Sequence, residues 1–242
     1  MLEGRVAVVT GAGVRLGRAI ALGLGARGAK VVLHWATSRE GAEEAAGQLR
    51  AAGGEAVTVQ ADLSQADQVP RVFEKAESLG GCDLLVNSAA IFERKAIEEI
   101  DDLAWRRMLD VNLSGPFYCC RAAVASMRRK GRGDIVNVAD VGGGLRAWSH
   151  YSHYCAAKAG LAMLTRCLAL ELAPAIRVNA VAPGTVLFPE PYAQEEKART
   201  IARIPLGREG TPEDVVKAIE YLLGAPYVTG QVLAVDGGRS SA

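Results

Sequence analysis

The chain alternates short apolar runs with longer stretches of helical period along its whole length, and this alternation restricts the fold more than any other feature. The short runs are nearly all apolar, as expected of strands buried on both faces of a parallel sheet. The predicted strands are Val6–Val9, Lys30–Leu33, Ala56–Val59, Leu84–Val86, Ile135–Val138, Arg177–Val181 and Val232–Val235. The stretches between them repeat apolar residues every three or four positions, which indicates helices. The predicted helices are Arg18–Ala26, Arg39–Ala52, Gln65–Leu79, Trp105–Arg129, Tyr154–Leu172 and Pro212–Leu223. The pattern predicts an α/β fold of Rossmann type, a doubly wound parallel sheet of about seven strands with helices on both faces.

Length and composition narrow the class of protein. The 242 residues show no linker or repeat, so residues 1–242 are predicted to form a single domain. A net charge of +1 gives no general attraction to nucleic acid or to anionic membranes, and neither is expected as a partner. The longest uncharged stretch, residues 178–189, is too short to span a bilayer. The five cysteines form no CxxC pair, which favours free thiols and a cytoplasmic location.

A glycine-rich turn joins the first strand to the first helix. It reads Thr10-Gly11-Ala12-Gly13-Val14-Arg15-Leu16-Gly17. Glycines at such a turn let backbone N–H groups approach a pyrophosphate, and the helix N-terminus adds a favourable partial charge. The turn therefore predicts that a dinucleotide binds here. A plain strand-to-helix turn is the alternative.

Several motifs in the same order resemble those of the short-chain dehydrogenase/reductase family, whose glycine pattern is TGxxxGxG. Asp62-Leu63 resembles its adenine-contacting pair, Asn87-Ser88-Ala89-Ala90 its NNAG segment, and Tyr154 with Lys158 its YxxxK pair. Asn112 matches a helix asparagine that holds a proton-relay water, and Pro183-Gly184 a turn beside the nicotinamide. The resemblance covers essentially the whole chain and implies a homotetramer. The cofactor-binding residues it implies are Gly11, Arg15, Leu16, Gly17, Thr37, Ser38, Asp62, Leu63, Asn87, Ala89, Tyr154, Lys158, Pro183, Gly184 and Val186.

Two departures from the family pattern bear on the cofactor. Arg15 replaces the middle glycine, and the second strand is followed by Ala36-Thr37-Ser38-Arg39, with no acid at its tip. An acid there would bind the adenosine ribose of NAD and repel a 2′-phosphate, whereas hydroxyls and arginines attract one. NADPH is therefore predicted, with its 2′-phosphate near Arg15, Thr37 and Ser38. The alternative is that Arg15 and Arg39 are ordinary solvated residues.

Tyr154 and Lys158 are predicted to act together because four residues on a helix separate them and they share one face. A free phenol, with a pKa near ~10, transfers protons poorly at neutral pH. A neighbouring ammonium is expected to lower the pKa of Tyr154 and make it a workable general acid. The family resemblance adds contacts from Lys158 to the nicotinamide ribose.

Asp140 stands where the family normally has a serine, three residues after the asparagine of the fifth strand. Counting back from Tyr154 selects Val141 instead, but Gly142-Gly143-Gly144 can absorb an inserted residue, so Asp140 is preferred. A carboxylate cannot donate a hydrogen bond to the oxyanion of a reduced ketone. It can relay a proton to the nitrogen of a C=N bond if burial raises its pKa. A degraded site with a solvated aspartate is the alternative.

The combination of Arg15, Leu33-His34, Ser38, Asp140 and Phe92 resembles the pteridine reductase branch of the family. In that branch the aromatic aligned with Phe92 stacks the pterin against the nicotinamide. The predicted function is NADPH-dependent reduction of a pteridine C=N bond in a dihydropterin or dihydrofolate. The catalytic residues are Asp140, Tyr154, Lys158 and Asn112, and the substrate-binding residues are Phe92, Asp140 and Tyr154.

Two other functions stay open. A ketone reductase acting on 3-oxoacyl carrier protein or xenobiotic carbonyls is the first, and a non-catalytic NADPH sensor is the second. No metal site is predicted, since His150 and His153 have no third ligand. The segment Pro183–Ala198 lacks clear period and is predicted to be a substrate lid.

Overall fold

The sheet of the protein contains seven parallel strands in the order β3-β2-β1-β4-β5-β6-β7. We analysed a computed structural model, which describes residues 2–188, 191 and 193–242. The strands are β1 (Val6–Val9), β2 (Lys30–Trp35), β3 (Ala56–Gln60), β4 (Leu84–Asn87), β5 (Gly133–Val138), β6 (Ile176–Pro183) and β7 (Val232–Val235). The strands β1, β4 and β5 are buried along their full length because helices cover both faces. The predicted single-domain Rossmann-type fold is confirmed.

Helices pack on both faces of the sheet. They are α1 (Arg15–Gly25), α2 (Arg39–Ala51), α3 (Pro70–Ser78), α4 (Asp102–Leu109), α5 (Gly115–Lys130), α6 (Val141–Gly144), α7 (Ser152–Leu172), α8 (Gln194–Ile201) and α9 (Pro212–Gly224). One apolar core contains Ile20 of α1 and Ile219 of α9. The other contains Phe73 of α3, Met127 of α5 and Leu172 of α7. These two cores hold the sheet between the helix layers.

The predicted helix Trp105–Arg129 is two helices, α4 and α5, joined by a π-helical turn at Asp110–Ser114. The N–H of Gly115 donates to the carbonyl of Asp110, five residues back. Pro116 has no N–H to donate to the carbonyl of Asn112, so a regular α-helical ladder cannot run through this turn. Apolar spacing alone does not reveal such an interruption.

Two other helices begin three or more residues away from the predicted start. Helix α1 begins at Arg15 rather than Arg18, so Arg15, Leu16 and Gly17 belong to its first turn. Helix α3 begins at Pro70 rather than Gln65, because proline suits the first turn of a helix, where no N–H bond is needed.

The carboxyl ends of the parallel strands meet at one edge of the sheet, where β1 lies between β2 and β4. The chain turns from β1 towards both neighbours here, and α/β folds place their ligands at such a switch point. Within the predicted lid Pro183–Ala198, Pro189, Glu190 and Tyr192 lie outside the described residues. In the part of the chain that is described, no helix is long and apolar enough to cross a membrane.

Candidate active site

A cleft of about 870 Å³ lies at this edge of the sheet. The glycine turn and the tip of β2 line one end, and Asp140, Tyr154 and Lys158 line the other. The predicted site residues among its lining are Gly11, Arg15, Leu16, Gly17, Thr37, Ser38, Asp62, Leu63, Ala89, Phe92, Asp140, Tyr154, Lys158, Pro183, Gly184 and Val186. Asn87 and Asn112 are not among the lining residues, and both are buried. The structure thus gathers all but two of the predicted residues around one cleft.

The glycine turn is packed too closely for side chains. Gly11 has φ +66°, and a Cβ there would lie 2.8 Å from the Cα of Ala89. A Cβ on Gly13 would lie 2.4 Å from the carbonyl oxygen of Ser38. Helix α1 starts with no side-chain cap and no acid in its first turn, so its positive end is not neutralised locally. These residues fit the pyrophosphate of a dinucleotide.

Arg15 occupies the place of the family's middle glycine and keeps a glycine-like backbone, with φ +49°. Such a conformation costs a non-glycine residue about 1–2 kcal/mol. The exposed guanidinium donates a hydrogen bond to the carbonyl of Leu187, in the predicted lid. Arg15 therefore connects the glycine turn to the segment after β6, while Thr37 and Ser38 line the same cleft at the tip of β2.

His34 is a supporting residue for which sequence analysis assigned no role. Its buried ring accepts a hydrogen bond from the N–H of Gly11 at 3.1 Å through Nδ1, and Nε2 lies 3.0 Å from the carbonyl of Ala61. Burial lowers the pKa of His34, which favours the neutral ring with Nε2–H donating to Ala61. The ring therefore fixes the glycine turn relative to the end of β3. The sequence feature that could have identified His34 is its position near the end of the second strand, next to the glycine turn.

Asn87 and Thr10 hold the neighbouring backbone in place. The Thr10 hydroxyl oxygen accepts from the N–H groups of Ser88 and Ala89 at 2.9 and 3.0 Å. The side-chain amide of Asn87 donates to Asn137 Oδ1 at 2.9 Å, inside the sheet. The side chain of Asn87 thus joins β4 to β5, and only the residues after it reach the cleft.

Asn112 lies in the π-helical turn, one layer behind the cleft. Its Nδ2 donates to the carbonyl oxygens of Ile91 and Met108, each at 3.1 Å. Its buried Oδ1 has no hydrogen-bond partner among the residues described. The side chain therefore fixes the segment that leads to Phe92, and π-helical turns are frequent at functional sites.

Asp140 and Tyr154 form the polar centre of the cleft. The Tyr154 hydroxyl donates to Asp140 Oδ2 at 2.9 Å, and Asp140 Oδ1 accepts from the N–H of Gly142 at 2.6 Å. Val141, the alternative from counting back along the chain, is buried in a small apolar cluster. The structure therefore places Asp140, and not Val141, beside the tyrosine.

Lys158 is buried, and its ammonium donates to the carbonyl of Val138 at 2.8 Å. Its Nζ also lies 5.8 Å from the centroid of the Tyr154 ring. Burial lowers the pKa of Lys158 to about 8, although the negative charge of Asp140 opposes this decrease. The strand that ends at Val138 thus orients the lysine.

The ionisation of the tyrosine and the aspartate is set by their burial and contact. Burial raises the pKa of Asp140 to about 6, although the Gly142 N–H, Lys158 and Tyr154 oppose the rise. Burial, and then the charge and hydrogen bond of Asp140, raise the pKa of Tyr154 well above its usual value. The expectation that Lys158 lowers the pKa of Tyr154 is therefore wrong for this structure. The carboxylate, not the ammonium, contacts the phenol oxygen.

Aromatic rings form a wall beside this polar centre. Phe92, 54% exposed, stacks on Tyr151 with ring centroids 4.6 Å apart and meets the Tyr154 ring edge-on at 4.9 Å. Trp148 lies parallel to Tyr154 at 6.5 Å. Sequence analysis identified Phe92 but missed Trp148 and Tyr151, whose spacing from Tyr154 in a loop gave no periodic signal. A flat or cyclic substrate can pack against this wall.

Among the described residues, no group of three His, Cys, Asp or Glu side chains could hold a metal ion. His150 is exposed with φ +66°, whereas His153 is buried and burial lowers its pKa. The two histidines therefore differ in environment.

Comparison with known proteins identifies the family. A family model described as enoyl-(acyl carrier protein) reductase matches residues 11–240. The chain belongs to the short-chain dehydrogenase/reductase family. The chain is 44% identical to 3beta-hydroxysteroid dehydrogenase 1 of Eggerthella lenta, over 99% of this chain and 95% of that protein. It is 37% identical to a 3-oxoacyl-[acyl-carrier-protein] reductase of Synechocystis, over 98% of this chain and 97% of that protein.

A solved structure matches this short-chain dehydrogenase/reductase along its whole length. It is a putative NAD(P)-dependent gluconate 5-dehydrogenase from Beutenbergia cavernae with NADP bound at low occupancy. The TM-score is 0.92 at 39% identity, and the match covers 100% of this chain and 98% of that one. As a member of this family, the protein is an oxidoreductase that uses a nicotinamide cofactor.

Proposed function

We propose that this reductase uses NADPH to reduce the C=N bond of a pteridine-type ring, with dihydropterins or dihydrofolates as substrates. The hydrogen bond from the Tyr154 hydroxyl to the Asp140 carboxylate carries the proposal. Asp140 stands where the family normally has a serine, and a serine hydroxyl could donate to a substrate oxygen.

The charge of Asp140 separates two kinds of substrate. Reduction of a ketone places negative charge on oxygen, and an ionised carboxylate next to that oxygen raises the barrier. Reduction of a C=N bond requires a proton on nitrogen instead. A carboxyl group with a pKa of about 6 is partly protonated near neutral pH and suits this proton transfer.

The side chains of the site divide this work between them. When bound in the cleft, NADPH would supply a hydride to the ring carbon. The Tyr154 hydroxyl and Asp140 deliver a proton to the adjacent nitrogen, and the Gly142 N–H holds the carboxyl group in place. Lys158, fixed by Val138, keeps a positive charge beneath Tyr154. Phe92 offers an exposed face for the substrate ring, and the segment Pro183–Ala198 would exclude water.

NADPH is proposed over NADH because the tip of β2 carries hydroxyls and no acid. Thr37, Ser38 and Arg15 all line the cleft at this end. An arginine and two hydroxyls on the lining of one cleft suit a 2′-phosphate, which an acid would repel.

A second candidate is the interconversion of a ketone and an alcohol, and the names of the relatives favour it. The relatives at 44% and 37% identity are named as a hydroxysteroid dehydrogenase and an oxoacyl reductase. The aromatic wall formed by Phe92, Trp148 and Tyr151 would also hold an alicyclic ring. Asp140 is the feature that counts against this candidate.

Oxidation of NADPH, followed by absorbance, tests both candidates. The purified protein is given dihydrobiopterin, dihydrofolate, a ketosteroid or acetoacetyl thioester. We expect turnover of a dihydropteridine, its loss in Tyr154→Phe and Asp140→Ser, and retained NADPH binding in both variants. Turnover of a ketone alone would establish the second candidate. If no substrate turns over and Tyr154→Phe changes only cofactor affinity, a non-catalytic NADPH sensor becomes the better description.

A cytoplasmic location and a homotetramer remain predictions. Light scattering on the purified protein measures the assembly directly, and a stable mass other than four chains would refute the tetramer.

A further inference from the structure

Arg239 follows β7 and lies beside the aromatic wall without an ion-pair partner. Its guanidinium carbon is 5.6 Å from the centroid of the Trp148 ring, and Nη1 donates to the Thr185 hydroxyl. No Asp or Glu of the described residues lies within ion-pair distance of it. A guanidinium has five N–H donors, so donors remain for a ligand.

The chain after β7 is held so that Arg239 has one fixed place. Asp236 accepts from the N–H of Gly238 at 2.9 Å and of Ser240 at 2.6 Å. Arg146 donates to the carbonyl oxygens of Arg239 and Ala242 at 2.9 and 2.8 Å. These bonds pin the backbone on both sides of Arg239, which reduces the entropy that the side chain loses on binding.

Arg239 does not itself line the cleft, but the Trp148 ring that it covers meets the ring of Phe92, a lining residue, edge-on at 6.2 Å. Strand β7 pairs with the end of β6 through Val235 and Pro183, and Pro183 lines the cleft. The Trp148 ring beneath the guanidinium lies parallel to the Tyr154 ring. The charge of Arg239 also opposes the rise that burial causes in the pKa of Asp140. The cation therefore lies next to the aromatic wall on which a ring would pack.

We propose that Arg239 determines specificity by binding a carboxylate carried by the ring substrate. A guanidinium pairs with a carboxylate through two parallel hydrogen bonds, and the half-buried position strengthens the pair relative to one in water. The exposed face of Phe92, beside Trp148, gives the substrate ring an apolar surface, and Arg239 gives the carboxylate substituent a cation. The proposal rests on the proposed function only for the identity of the ring.

Binding of two small ring compounds tests this without turnover. Benzoate and benzamide have nearly the same shape, and only benzoate is charged. Calorimetric titration of the NADP⁺-loaded protein is expected to show benzoate binding about tenfold tighter, the typical effect of a charge-assisted hydrogen bond. Arg239→Gln is expected to abolish the preference for benzoate. Arg239→Lys is expected to keep part of it, because lysine retains the positive charge but cannot make the two parallel hydrogen bonds of a guanidinium.

Arg71→Gln is the matched control, since Arg71 is an exposed arginine on α3 and away from the cleft lining. It is expected to keep the full preference. Equal affinities of the wild-type protein for the two compounds would overturn the proposal even if Arg239→Gln failed to fold. A preference that survives in folded Arg239→Gln would do the same. Since no pteridine is used, failure of C=N reduction leaves this result unaffected, and the two proposals can fail separately.

Discussion

Replacing Asp140 by asparagine is expected to stabilise the folded protein at neutral and alkaline pH. Burial raises the pKa of this carboxyl group from 3.8 to about 6, so the ionised form is less favourable in the folded state than in the unfolded one. Asparagine has nearly the same shape and no charge. Its side-chain oxygen can still accept one of the two hydrogen bonds from the Tyr154 hydroxyl and the Gly142 N–H.

The size of the effect follows from the pKa values. A rise from 3.8 to about 6 corresponds to about 3 kcal/mol in the free energy of unfolding once the pH exceeds both values. The folded state binds the proton more tightly, so the aspartate's contribution is most favourable below pH 3.8 and falls as the pH rises to about 6. Loss of one hydrogen bond subtracts about 1 kcal/mol at every pH. The expected net gain of Asp140→Asn is about 2 kcal/mol at pH 8 and disappears near pH 4.

Urea unfolding of the cofactor-free protein between pH 4 and pH 8 measures this difference. Asp67→Asn is the matched control, because Asp67 is exposed and is not among the residues that line the cleft, and its effect on stability is expected to be small. A difference between wild type and Asp140→Asn that stays constant over this range would refute the reasoning. It would mean that the carboxyl group ionises in the folded state as it does in water.

Two further substitutions test the cofactor end of the cleft. Arg15→Gly restores the family's glycine at φ +49°, so stability should change by less than about 1 kcal/mol while NADPH binds about tenfold more weakly and NADH is unaffected. Fluorescence titration with both cofactors measures this, and equal weakening of the two would contradict a role for Arg15 at the 2′-phosphate. His34→Phe leaves the Gly11 N–H without its acceptor, which should cost about 2 kcal/mol in urea unfolding and weaken both cofactors alike. Unchanged unfolding would show that the ring does not hold the turn.

The strands could be predicted because burial on both faces leaves continuous apolar runs. Every predicted strand corresponds to an observed one, with ends that differ by a few residues. The apolar spacing did not reveal the π-helical turn at Asp110–Ser114; Pro116 was the sequence signal for a break in the helix, while the π form of the turn depends on packing. Helix ends were predicted less accurately than strand ends, because local features such as Pro70 at the start of α3, rather than apolar spacing, set where a helix begins.

Within the site, motifs placed Tyr154, Lys158 and Asp140 near one another, but not their hydrogen bonds. The contact between Asp140 and Tyr154 depends on the turn at Gly142–Gly143, where Gly143 adopts φ +84°. The direction of the Tyr154 pKa depends on that contact and on burial, neither of which has a sequence signal. Arg239 lies far along the chain from Trp148, and the pairing of β5 with β6 and of β6 with β7 brings the segments that follow β5 and β7 together.

The π-helical turn has a consequence for changes in chain length. A π turn holds one residue more than an α-helical turn, but Pro116 prevents a regular α-helical turn here, so deleting a residue between Asp110 and Ser114 would not simply convert the π turn into a continuous helix. Each residue of an α-helix turns the chain by about 100°, so such a deletion would rotate α4 about its axis relative to α5. Arg107 would swing away from the cleft that it now lines, and Asn112 would lose its bond to Ile91. At this place the reductase tolerates a change of side chain more readily than a change in residue number.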